Sequence, residues 1–87
     1  RIKLILPMKI PVIKKLAEAH SLEELQAAEE ALYNEETPAI EIKGDDEGEQ
    51  LTHVLAAVFI KEHMAEHGSN LKTALREYTV KVRNSIS

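Results

Sequence analysis

Cysteine and tryptophan are both absent from this 87-residue chain, which excludes disulfides and thiolate-ligated metal sites. Aromatic residues number only three, Tyr33, Phe59 and Tyr78, too few and too scattered to offer stacking platforms for nucleotide bases. The longest uninterrupted apolar run is Val54–Ile60, far short of the roughly 20 residues that a bilayer-spanning helix needs. No internal repeat or low-complexity tract appears, and no serine or threonine stands beside a histidine and an acid in a nucleophile arrangement. What remains, 44% hydrophobic and 30% charged residues, fits one small domain with a single modest core, and a cytoplasmic location is the expectation. Arg1 to Pro7 has the charged-then-apolar order of a signal peptide, but its apolar part is too short and no small-residue cleavage site follows. It reads as an N-terminal extension of residues 1–7 ahead of Met8, with the domain expected over residues 8–87.

Charge is segregated along the chain. Residues 1–15 hold Arg1, Lys3, Lys9, Lys14 and Lys15 with no acid, and residues 69–87 hold Lys72, Arg76, Lys81 and Arg83 against Glu77 alone. The net charge of −4 therefore conceals two basic ends around a strongly acidic middle. Pairing of these blocks, within one chain or across a dimer, is the structural explanation; exposed pairs at about 0–1 kcal/mol each would fix orientation more than add stability. Binding of a charged partner is the functional one.

Helix signals divide the chain into four pieces. Pro11 suits the first position of a helix, and Val12, Ile13, Leu16 and Ala17 follow on one face to about His20. Ser21 and Glu24 have capping-box spacing ahead of Leu25, Ala28 and Leu32, predicting a second helix over about Leu22 to Tyr33. Pro38 then interrupts, and residues 39–43 alternate like a brief strand whose partner would be residues 2–6, giving a minor two-stranded ribbon. Asp46 and Glu49 repeat the capping-box spacing at the start of a third helix that continues to His67, with Gly68 closing it. Val54–Ile60 is apolar on every side, so this helix is expected to be surrounded, by the other three or by a symmetry mate. A fourth helix starts at Ser69 or Asn70, with Leu71, Leu75, Tyr78 and Val82 as its apolar stripe and Lys72, Arg76 and Arg83 as a parallel basic stripe. The expected fold is thus all-α, a compact bundle of about four helices.

Three motifs bear on chemistry. His63-Met64-Ala65-Glu66-His67 matches the H-x-x-E-H pattern of inverted zinc proteases, but such a site needs a third ligand and a cleft, and only Glu77 remains downstream as an acidic candidate. An exposed helix end, with histidines placed favourably against its dipole, accounts for it. Glu49 and His53 form a second turn-spaced pair, near Asp45 and Asp46, and are the candidate metal ligands if Glu18, Glu41 or a symmetry-related copy completes the shell. Against this, such pairs usually mean a solvated helix face, and capping already accounts for the acids. Calcium-loop geometry fails because Gln50 stands where the turn glycine belongs, and phosphate binding is disfavoured by glycines interleaved with acids. Nucleic-acid binding would rest on the basic ends alone and is disfavoured too.

Three segments carry a resemblance: Lys9-Ile10-Pro11-Val12-Ile13-Lys14-Lys15-Leu16, Asp46-Glu47-Gly48-Glu49-Gln50-Leu51-Thr52-His53-Val54-Leu55-Ala56-Ala57, and Leu75-Arg76-Glu77-Tyr78-Thr79-Val80-Lys81-Val82-Arg83-Asn84-Ser85-Ile86. They resemble an uncharacterised family of short helical proteins from Bacteroidetes bacteria. The resemblance spans residues 8–87 and implies a bacterial cytoplasmic protein; it supplies no catalytic residue.

These features predict a self-associating protein-interaction module without catalytic activity and without a cofactor. A homodimer is expected through Val58 and Phe59, with Lys72, Arg76 and Arg83 as a surface for the dimer or for another protein. The alternative expectation is a small metal- or ligand-binding protein built on Glu49 and His53. No membrane partner is expected.

Overall fold

The computed structural model of the chain describes residues 9–86. Four helices follow in order: α1 (Ile10–Ala19), α2 (Leu22–Tyr33), α3 (Glu47–His67) and α4 (Leu71–Ile86). The bundle is all-α, and each start and stop has a local cause. Pro11 sits in the first turn of α1, where its missing N–H costs no intrahelical bond. Ser21 and Glu24 close a full capping box on α2: Ser21 Oγ accepts from Glu24 N–H at 3.1 Å, and the Glu24 carboxylate accepts from Ser21 N–H at 2.9 Å. Asp46 caps α3 by accepting from Glu49 N–H at 2.8 Å, and Gly68, at φ 62°, ends it in the left-handed region.

The end of α2 uses the same left-handed device with a residue that does not favour it. Glu35 has φ 60°, and the next two N–H groups turn back on the helix, Glu35 to Leu32 C=O at 3.1 Å and Glu36 to Ala31 C=O at 2.7 Å. These two bonds make a Schellman motif.

Helix α3 is the axis of the fold, and α1, α2 and α4 each pack against it. Ile13, Leu16 and Ala17 of α1, Leu25 and Ala28 of α2, and Ala74 of α4 meet Val54, Ala56, Ala57, Val58 and Ile60 in one core. Fully burying side chains the size of Ile13, Leu25 and Ile60 contributes about 1.5–3 kcal/mol each. The molecule measures 37 × 33 × 19 Å, so its thin dimension holds about two helix diameters. Along α3, Leu55 is exposed and Leu51 and Phe59 are half-buried.

Residues 39–43 do not form the predicted strand; residues 2–6, the other half of that ribbon, lie outside the described residues. The alternation is real but has another purpose. Ile42 is buried in the core and Ile40 packs against it, while Ala39, Glu41 and Lys43 face solvent. A strand is defined by a ladder partner, and none exists for this segment among the described residues. The segment instead straps the connection between α2 and α3 onto the core.

Candidate functional site

The turn-spaced pair Glu49 and His53 lies on the buried side of α3, one helical turn apart. His53 is 0% exposed and Glu49 5%. The ring of His53 is used on both sides. Its Nε2 accepts from the backbone N–H of Lys9 at 2.8 Å, and its Nδ1 lies 2.7 Å from the carbonyl oxygen of Lys43. An N–H can only donate and a carbonyl can only accept, so the ring is the neutral tautomer with its proton on Nδ1.

Glu49 is engaged just as fully. Its carboxylate accepts from the Asp45 N–H and from the Lys9 ammonium at 2.8 Å, with Asp45 3.8 Å from the same ammonium. The Asp45 N–H, followed by the Lys9 ammonium, holds the Glu49 carboxyl below the usual carboxylate range. Reciprocally, the hydrogen bond to Glu49 raises the Lys9 ammonium above its ordinary value, with the Asp45 charge adding to it. Three separate pieces of chain are thereby clamped together: the entry to α1, residues 43–46, and the first two turns of α3. Gly44 permits the close approach, because a Cβ there would come within 2.8 Å of Gln50 Cγ and 2.9 Å of Gln50 N.

This arrangement redirects two expectations. The capping-box spacing of Asp46 and Glu49 gives only the forward bond; the Glu49 carboxylate turns to Asp45 and Lys9 instead of Asp46 N–H. As metal ligands, Glu49 and His53 would each have to give up bonds that hold the chain together. No group of three or more metal-ligating side chains converges among the described residues.

Val58 and Phe59 are placed within the packing of the single chain. Val58 belongs to the core. The Phe59 ring stands 5.3 Å from Tyr78 and 6.0 Å from His63, centroid to centroid, and Lys81 Nζ lies 5.9 Å over its face. Burial beside this cluster pushes the Tyr78 hydroxyl up from its ordinary value. Helix α4 thus covers this part of α3, in line with the expectation that the other helices surround it.

Lys72, Arg76 and Arg83 are all exposed on α4. They do not dock on α2 of the same chain: α2 packs on α3, and no ion pair joins α4 to α2 among the described residues. Val80, 40% exposed, stands on the same outward face, four residues after Arg76 and three before Arg83. The acidic counterpart is on the outward face of α2, where Glu23, Ala27 and Glu30 repeat the spacing and are exposed too. The apolar-stripe reading of α4 pointed inward and passed over Val80, whose position between two arginines was its only sequence signal.

A family model matches residues 8–87, nearly the whole chain. The chain belongs to DUF6952, a family of unknown function. Membership agrees with the resemblance over the same residues and leaves residues 1–7 outside it. No curated protein and no solved structure matches the chain. Among the described residues of this DUF6952 chain, no helix is long and apolar enough to cross a membrane.

Proposed function

We propose that this chain is a self-associating protein-interaction module without catalytic activity, acting as an isologous homodimer in the bacterial cytoplasm. The observation that carries the reading is the matched pair of outward faces. Arg76, Val80 and Arg83 on α4, and Glu23, Ala27 and Glu30 on α2, both run charge, apolar, charge at offsets of four and seven. At 1.5 Å per residue, the outer charges of each triplet are about 10.5 Å apart along the helix axis. Two-fold symmetry would lay α4 of each copy along α2 of the other, with Val80 over Ala27 and the arginines beside the glutamates. Among the described residues neither face makes an intrachain ion pair, so association breaks none of the pairs seen there.

Exposed ion pairs of this kind contribute about 0–1 kcal/mol each and weaken with salt. The dimer is therefore a salt-sensitive one, stabilised chiefly by the apolar contact and oriented by charge. Sedimentation velocity over a range of protein concentration and ionic strength tests it. Association that rises with concentration and falls with salt supports the reading; a monomer at high micromolar concentration in low salt overturns it. An origin in Bacteroidetes, from the resemblance, belongs to the same proposal.

A further inference from the structure

The last turn of α3 brings together two histidines that the clamp and the paired faces leave unused. His63 and His67 are one turn apart, and their rings lie 4.5 Å apart, centroid to centroid, tilted by 42°. Such metals bind imidazole nitrogen at about 2.0–2.1 Å, so two rings meeting on one ion have centroids from about 4.5 Å apart at a right angle to about 5.2 Å at the tetrahedral angle. The pair already stands at the lower end of that range. Around it are features that hold His63 in place. Gly68, at φ 62°, turns the chain back so that Ser69 Oγ comes to 2.8 Å from His63 Nδ1. In the tautomer with its proton on Nδ1, the ring donates to this hydroxyl and keeps the lone pair on Nε2 for a metal, the role a supporting partner plays behind a ligating histidine. Phe59 stacks on the same ring, 6.0 Å away centroid to centroid. His67 has 61% of its side chain exposed, and the Glu66 carboxylate stands 3.8 Å from its Nε2, adding negative charge beside the pair.

We propose that His63 and His67 chelate a single divalent transition-metal ion of the zinc, nickel or copper(II) class, the ions that imidazole suits. Ser69 acts as a positioning residue. With no third protein ligand among the described residues, water fills the remaining positions, so the site is open and exchanges its ion readily. His53 differs on every count: it is buried, and both of its nitrogens are spent inside the chain.

Isothermal titration of the full chain with zinc chloride, and separately with nickel chloride, tests the assignment. The expected result is one ion per chain, with no heat from magnesium chloride. His67→Ala should weaken zinc binding at least tenfold while leaving the metal-free melting temperature unchanged, since the side chain is exposed. Ser69→Ala should weaken it by about tenfold, the lower end of the usual loss when a supporting partner is removed. His20→Ala, which removes a histidine on α1's side of the molecule, should leave the affinity as it was. In amide NMR spectra, zinc should shift the signals of residues 63–69 first. Absence of zinc heat, wild-type affinity in His67→Ala, or one ion per two chains would each overturn the proposal.

Discussion

The backbone N–H of Lys9 donates to Nε2 of His53, 44 positions away in sequence, at 2.8 Å. This bond and the one from His53 to Lys43 C=O are made by a fully buried ring to backbone at the edge of the core. The histidine is consequently a structural keystone for the start of α1 and for the strap of residues 39–46.

Replacing it tests that role. His53→Ala leaves a donor and an acceptor unpaired at about 1–3 kcal/mol each, part of which water entering the space left by the ring would recover. A loss of about 2–4 kcal/mol in urea unfolding is expected, without a change in zinc affinity. A loss below about 0.5 kcal/mol would show that neither bond matters.

Acid should weaken the fold through Glu49 and Glu24. Glu49 is held below the ordinary carboxylate range by the Asp45 N–H and then Lys9, and Glu24 by the Ser21 N–H and then His20. A carboxyl depressed in the folded state contributes stability that is complete above its unfolded value and is lost as pH falls through the folded one. Stability should therefore decline from about pH 4.5 downward, near the unfolded glutamate value. Glu49→Gln should flatten that decline, as read from urea midpoints between pH 3 and 7. An unchanged acid slope in Glu49→Gln would contradict this account.

The two left-handed helix ends predict opposite effects of glycine. Gly68→Ala meets nothing within 4 Å, so its cost is conformational alone, about 1 kcal/mol. Glu35→Gly relieves the same strain at the end of α2 and should stabilise the protein by about 0.5–1 kcal/mol. Thermal unfolding of the two variants checks both signs at once.

Loss of the α3 cap should be smaller than loss of the clamp. Asp46→Ala removes the bond to Glu49 N–H and should cost about 0.5–2 kcal/mol. Because Asp46 itself is exposed, chemical denaturation of this variant reports the cap with little contribution from packing.

The helices were legible because their signals are local. Pro11, the Ser21 and Glu24 box, Asp46 and Gly68 each act within a turn of themselves, and each does so in the structure. The clamp was not legible, since no spacing relates Lys9 to Glu49 and His53 across some forty residues. The strap at 39–43 showed true alternation, but periodicity reports which side chains turn inward and not whether a backbone finds a ladder partner. Glu35 carried no signal, because a glutamate in the left-handed region is tolerated by the surrounding bonds and is not favoured by them. The separation of the basic stripe from the acidic helix depended on how α2 and α4 sit around α3, which is a property of the whole fold.

Charge reversal tests self-association most directly. Sedimentation velocity at low salt should find the wild type dimerising, and Arg76→Glu and Glu30→Lys each weakening the dimer with stability changed by less than about 0.5 kcal/mol. Combining the two restores opposite charges across the interface, so the double variant should recover a substantial part of the association. Association that is equally strong in all four proteins would contradict the account, as would a double variant no better than the sum of its single changes.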